Sequence, residues 1–141
     1  MVGIVISFLV GTLVGITGAV VSNFFIWPMR RQLIEIGEIA DSLAFYEHIY
    51  RMPELYLEKI DEVELRFRTH ATRLLSFTVT IPWYWLLEIL KLVRKRQHIA
   101  KAHEALMSIS AKLADAQISY KDTEEVIKLV DEIRDVLRIR L

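Results

Sequence analysis

The first 29 residues contain no Asp, Glu, Lys, Arg or His, and this uncharged stretch constrains the fold more than any other feature. All 18 basic and 18 acidic residues follow it. As a helix with a rise of ~1.5 Å per residue, residues 2–27 would be about 39 Å long, more than the ~30 Å hydrocarbon core of a bilayer. The sequence therefore predicts a tilted transmembrane helix within residues 1–29.

Two alternatives for this stretch are less consistent with the sequence. A cleaved signal peptide carries a basic segment and then an apolar core of about 7–15 residues, whereas this apolar run is about twice as long. The first basic residue, Arg30, comes only after it. A helix buried in a soluble core is usually shorter and has a polar face. We therefore expect a retained membrane anchor.

Within the anchor, a small or slim polar residue recurs at every fourth position. These positions are Gly3, Ser7, Gly11, Gly15, Ala19 and Asn23. Lipid provides no hydrophobic drive for helices to pair, so dispersion contacts at close backbone approach over small residues drive association. The stripe predicts a homo-oligomer with right-handed helix crossings. Incidental glycines, or packing against another membrane protein, are the alternatives.

Basic residues flank the anchor on one side only, at Arg30 and Arg31. Lys and Arg close to a span favour the cytoplasmic side of the membrane. We expect a single-pass protein with its N-terminus outside and residues 30–141 in the cytoplasm. Trp27 would then lie at the inner membrane interface, where tryptophan rings are enriched.

Composition excludes several classes of function. Cysteine is absent, which excludes disulfides and thiolate metal sites. Because the formal net charge is zero and the pI is about 6.9, no bulk attraction to nucleic acid is expected.

Amphipathic periodicity in residues 30–141 predicts an all-α fold, an antiparallel bundle with helices at about 30–51, 54–81, 98–118 and 123–140. In the first helix we expect Glu35 and Glu38 on faces away from the apolar stripe. The predicted stripe is Met29, Leu33, Ile36, Ala40, Leu43 and Tyr50. The second helix has the clearest heptad, Tyr56, Ile60, Val63, Phe67, His70, Leu74, Phe77 and Ile81. Asp122, with Glu125 three residues later, predicts the N-cap of the last helix.

Residues 77–93 form the most unusual stretch of the cytoplasmic part, and three interpretations compete. A second span would place Glu88 and Lys91 in lipid, which costs a few kcal/mol each. A core element would bury the aromatic side chains. An interfacial element at about residues 82–93 would lie on the membrane, because a helix that descends antiparallel returns these residues to headgroup level. The residues predicted at the interface there are Trp83, Tyr84, Trp85, Arg94, Lys95 and Arg96. Further basic charge is expected from Lys91, His98 and Lys101, and from Arg134, Arg138 and Arg140 at the end of the last helix.

The sequence contains no motif typical of a catalytic or cofactor site. The glycine loops of phosphate and dinucleotide sites and the nucleophile elbow do not occur. His98 and His103 are five residues apart, which does not place them on one helical face. His70, on an apolar seam, is expected to be a hydrogen-bonded core histidine, with a ligand or pH-switch role as the alternative. We therefore expect no catalytic residue, cofactor or metal, and no enzyme.

The sequence favours a membrane-anchored homo-oligomeric assembly or scaffold protein in contact with membrane lipids. An oligomeric pore or ion channel is the first alternative, because slim polar residues could face a lumen. These are Ser7, Thr12, Thr17, Ser22 and Asn23. Against it, the span has no charge and no continuous polar line. A small accessory subunit, whose stripe docks on a larger membrane complex, is the second alternative.

Overall fold

The computed structural model describes residues 2–115 and 120–139, without the side chains of residues 2, 120 and 121. This part of the chain is all-helical, which confirms the predicted all-α class. Its helices are α1 (Val2–Val21), a π-helical turn (Ser22–Ile26), α2 (Trp27–Phe45), α3 (Glu47–Arg51), a 3₁₀ turn (Pro53–Leu55), α4 (Leu57–Thr80), α5 (Tyr84–Ile89), α6 (Arg96–Ala114) and α7 (Tyr120–Leu137).

The N-terminal helix runs without interruption from α1 through the π-helical turn into α2. Pro28 lies just after that turn and cannot donate a backbone hydrogen bond, and its ring would clash with the carbonyl of Phe24 in a regular helix. The wider turn, in which the Trp27 N–H donates to the Ser22 carbonyl, accommodates it. Among the described residues, only the helix at Gly3–Phe45 is long and apolar enough to cross a membrane.

Residues 3–24 of this helix are not packed against the rest of the described chain. Every side chain from residue 3 to residue 24 is exposed. Its exposed side chains include large apolar ones such as Ile4, Phe8 and Leu13. The hydrophobic core instead begins at α2.

The buried face of α2 differs from the predicted stripe. Gln32, Glu35 and Ile39 are buried, whereas Leu33 is 57% exposed. The placement of Glu35 on an outer face is therefore wrong. The reason is tertiary, because Gln32 and Glu35 each hydrogen-bond to a side chain of α4. Hydrophobic periodicity cannot detect a polar residue that is buried by a partner on another helix.

Helices α2, α4, α6 and α7 share one core, and the cross-helix hydrogen bonds give their relative directions. Residue numbers rise on one helix as they fall on the next, so α2 and α4 run in opposite directions, as do α4 and α6. The pairs are Gln32–Thr78 and Ser42–His70 for α2 and α4, and Ala71–His103 and Glu64–Ser110 for α4 and α6. The predicted heptad of α4 supplies Ile60, Val63, Phe67, His70 and Leu74 to this core.

Some helix ends differ from the predicted ones. The helix expected to reach residue 51 ends at Phe45, and α3 follows after Tyr46. Helix α7 begins at Tyr120, so Asp122 lies inside its first turn and the predicted N-cap is wrong. The carboxylates of Asp122 and Glu125 instead pair with Lys112 of α6. Residues 116–118 and 140 of the predicted helices lie outside the described residues.

The buried phenol of Tyr50 makes the stability of the core depend on pH in the alkaline range. Its side chain is buried and its hydroxyl donates to the Leu43 carbonyl at 2.9 Å. Burial raises the pKa of Tyr50 to about 12. The pKa of tyrosine in the unfolded chain is about 10. The neutral phenol therefore contributes fully to the free energy of unfolding below pH ~10. That contribution falls as the pH rises, by about 2–3 kcal/mol at pH ~12. In denaturant unfolding between these pH values, Tyr50→Phe should show a shallower loss than the parent. An equal loss in both proteins would contradict this role.

Candidate membrane-interface site

The aromatic element of α5 packs beside the end of the apolar stretch of the N-terminal helix. The rings of Phe25 and Trp83 are 5.7 Å apart, centroid to centroid. A small second core forms there, separate from the main one. Its buried residues are Ile81, Tyr84 and Leu87, with Phe25, Met29 and Val93 packed against them. The antiparallel return of α4 thus brings residues 81–93 next to residues 25–29.

A buried hydrogen-bond network fixes this element to α2. The amide nitrogen of Gln32 donates to the Thr78 hydroxyl at 2.8 Å and to the Tyr84 hydroxyl at 3.2 Å. The Tyr84 hydroxyl in turn donates to the Arg94 carbonyl. Burial raises the pKa of Tyr84, and the Gln32 hydrogen bond opposes the rise. The phenol is therefore neutral and able to donate at physiological pH. The connection between α5 and α6 is therefore held by Tyr84 of α5, which is itself fixed by Gln32 of α2.

The three aromatic residues predicted at the interface do not share one environment. Trp83 and Trp85 are 64% and 65% exposed, whereas Tyr84 is only 6% exposed. Tyr84 therefore belongs to the packed cluster, and the two tryptophans form an outer surface. Exposed apolar side chains continue this surface at Ile89, Leu90 and Leu92. Helix α5 has six residues and is about 9 Å long, too short to cross a bilayer, so the second-span alternative is wrong.

At the end of the predicted anchor, a cation lies over an aromatic ring. The guanidinium carbon of Arg31 is 4.7 Å from the centroid of the Trp27 ring, a cation–π contact. Trp27, Arg30 and Arg31 are all exposed. Their surface is thus free to meet water or headgroups.

The predicted basic residues near α5 divide between two cavities. Arg94 and Lys95 line a cavity of about 280 Å³, which we call the basic cavity. Its other lining residues are Glu88, Lys91, Val93, His98 and Arg138. Arg96 instead lines a neighbouring cavity of about 300 Å³ together with Trp83, Tyr84 and Trp85. The fold therefore adds Arg138, from the end of α7, to the cations that precede α6.

The small-residue stripe makes no packing contact inside the described chain. Gly3, Ser7, Gly11, Gly15, Ala19 and Asn23 are all exposed. A Cβ atom added at Gly3, Gly11 or Gly15 would meet nothing within 4 Å. Its role in self-association stays a prediction.

The sequence did not predict which side chains bond to His70 in the core. His70 Nδ1 lies 2.6 Å from a Glu35 carboxylate oxygen, and His70 Nε2 lies 2.8 Å from the Ser42 hydroxyl. Glu35 and His70 are 3% and 1% exposed, which confirms His70 as a hydrogen-bonded core histidine. The sequence did contain a signal for this pair. Glu35 stands between apolar neighbours in residues 33–36, and His70 lies on the apolar seam of the next long helix.

The chemistry open to this cluster is limited by its geometry. Glu35, Glu38 and His70 could approach one metal ion by distance. However, two ligands at ~2.1 Å from a tetrahedral metal lie about 3.4 Å apart, and Glu35 and His70 keep the shorter spacing of a hydrogen bond. The order Ser–His–Glu is that of an acyl-transfer triad. Ser42 lies inside α2, where the backbone N–H groups are engaged in the helix and cannot form an oxyanion hole. The arrangement fits a structural role.

Comparison of the chain with known protein families, with curated proteins and with solved structures gives no match. The functional conclusion therefore rests on the geometry of the chain itself.

Proposed function

We propose that the protein is a membrane-anchored homo-oligomeric assembly or scaffold protein without catalytic activity. In this proposal α1 crosses the bilayer, and residues 30–141 form an antiparallel helical bundle at the cytoplasmic face. The observation that carries the proposal is that every side chain of residues 3–24 is exposed although the segment is uncharged and mostly apolar. A continuous apolar surface of this kind in water is unfavourable, so lipid or partner helices must cover it.

The positions of charged and aromatic groups support this orientation. Arg30 and Arg31 follow the apolar stretch directly, and the Arg31–Trp27 contact lies at the same level. Trp83, packed on Phe25, and Trp85 add exposed indole rings there. Tryptophan is enriched at both membrane interfaces, and basic residues near a span favour the cytoplasmic side. Membrane lipids are thus the expected contact of this end of the domain.

The two threonine hydroxyls of the predicted span favour an assembly over a pore. Thr12 donates to the Phe8 carbonyl and Thr17 to the Leu13 carbonyl, each at 2.8 Å. Hydroxyls that are bonded to their own helix offer little to ions or water in a lumen. The small-residue stripe, by contrast, leaves room for a second helix at close range.

Replacing Gly11 and Gly15 together by Ile should dissociate the oligomer. The added side chains meet nothing within 4 Å in one chain, so they should leave the fold of the protomer intact. They would keep the backbones of neighbouring chains apart and remove the close contacts. Light scattering of the detergent-solubilised protein, corrected for bound detergent, should show a fall to the 16.5 kDa protomer.

Leu13→Phe with Val20→Phe is the matched control, because both residues are exposed and lie on the face of α1 opposite Gly11 and Gly15. It should leave the particle mass unchanged. An unchanged mass in the Gly11/Gly15 variant, or an equal loss in both proteins, would contradict association through the stripe.

A further inference from the structure

The basic cavity concentrates an excess of positive charge, with four cationic side chains and one carboxylate in its lining. Its cationic lining residues are Lys91, Arg94, Lys95 and Arg138, and its acidic residue is Glu88. None of the four cations forms an ion pair within 4.0 Å among the described residues. The Glu88 carboxylate accepts a hydrogen bond from the Arg96 backbone N–H at 3.2 Å. Like charges around one cavity repel each other, so an anion bound there would be stabilised.

Two of these cations occupy backbone positions that favour glycine. Lys91 follows α5 with φ of 56°, and Arg138 follows α7 with φ of 50°. At each helix end, the next residue donates its N–H five residues back, from Leu92 to Leu87 and from Ile139 to Arg134. This is the Schellman arrangement, whose left-handed position is usually glycine, because a Cβ atom is unfavourable there. Both cations are therefore held at positions where glycine would be more stable.

The location of the cavity favours a membrane lipid as the source of an anion that binds there. Val93 lines the cavity and also packs on the small core that contacts Phe25 and Met29. The Arg94 carbonyl is bonded to Tyr84, which is fixed to Gln32 just beyond the apolar stretch. Trp83, whose backbone is also left-handed with φ of 51°, packs on Phe25. If α1 spans the bilayer, the cavity lies at the level of the lipid headgroups.

From these observations we propose that the basic cavity binds the phosphate-bearing headgroup of an anionic membrane lipid. This proposal rests on the membrane anchorage argued above. The guanidinium groups of Arg94 and Arg138 can form paired hydrogen bonds to phosphate oxygens, and Lys91 and Lys95 supply compact charges. The site would tie the domain to the inner leaflet at a point away from the anchor.

The test uses the full chain in neutral detergent micelles and measures quenching of its tryptophan fluorescence by brominated phosphatidylglycerol and brominated phosphatidylcholine. Quenching of the parent should show a clear preference for phosphatidylglycerol. Lys91→Gly with Arg138→Gly should lower that preference by about fivefold for each charge removed, which corresponds to ~1 kcal/mol per charge near an anionic surface. The same variant should gain several degrees in Tm, because glycine relieves both left-handed positions.

Lys59→Ala with Lys128→Ala is the control for bulk charge, since both lysines are exposed and neither lines the cavity. It should keep the preference. An unchanged preference in the glycine variant, or an equal loss in the control, would overturn the site. Displacement of phosphatidylglycerol by inorganic phosphate at the same concentration would overturn the lipid as its source. A fall in the Tm of the glycine variant would overturn the inference that glycine is more stable at both positions.

Failure of this site and failure of the anchorage give different results. Without membrane anchorage, neither brominated lipid should quench the tryptophans when the full chain is mixed with vesicles. With anchorage but no headgroup site, both lipids quench equally.

Discussion

Replacing His70 by Ala should lower the free energy of unfolding by about 3–5 kcal/mol, one of the largest effects expected of a single substitution here. The reason is that Glu35, the hydrogen-bond partner of His70, remains buried in the variant. The Glu35 carboxylate is 3% exposed and bonds to His70 Nδ1 at 2.6 Å. Without the imidazole, a buried carboxylate is left without its partner, which costs more than the pair itself contributes. Denaturant unfolding of the detergent-solubilised protein, followed by circular dichroism, measures the change.

The double variant Glu35→Leu with His70→Leu separates the burial of charge from packing. Replacing both partners by apolar residues is often neutral or stabilising, so the double variant should be more stable than His70→Ala. The Ser42 hydroxyl, which loses His70 Nε2, can bond to the backbone of its own helix. A double variant that is less stable than His70→Ala would contradict this account of the pair.

Replacing Phe67 by Ala should cost about 3–5 kcal/mol of unfolding free energy, because it opens a cavity in the middle of the main core. The side chain is fully buried, with its ring centroid 6.3 Å from that of Tyr46 and 6.5 Å from that of Tyr50. It therefore links α4 both to the break at Tyr46 and to α3, which follows that break.

Leu65→Ala provides the matched control for Phe67. Leu65 lies two residues away on the same helix and is 63% exposed. Its replacement should change the unfolding free energy by no more than about 0.5 kcal/mol. Similar losses for the two variants would mean that α4 presents a different face to the core.

The sequence predicts best where one face of a helix is uniformly apolar. The heptad of α4 is strong enough that Val63, Phe67 and Leu74 lie in the core as expected. The uncharged N-terminal run likewise predicts a long helix, because no charge or internal breaker interrupts it before Pro28. In α4 the local pattern agrees with the tertiary environment, and in the N-terminal run the local pattern alone predicts the helix.

The sequence predicts less well where burial depends on a distant partner. Gln32 and Glu35 are buried because each hydrogen-bonds to a side chain of α4, Gln32 to Thr78 and Glu35 to His70. The same limit applies to the candidate site. Periodicity placed Arg94 and Lys95 near the membrane, but their shared cavity with Arg138 depends on how α7 ends. The left-handed backbone at Lys91 and Arg138 could not be predicted from the sequence, because neither position is a glycine.

The mass of the intact particle in detergent tests the central claim, a homo-oligomeric membrane assembly, most directly. Light scattering corrected for bound detergent should give one discrete multiple of the 16.5 kDa chain. A particle with the mass of a single chain would contradict the claim and would favour an accessory subunit of a larger membrane complex.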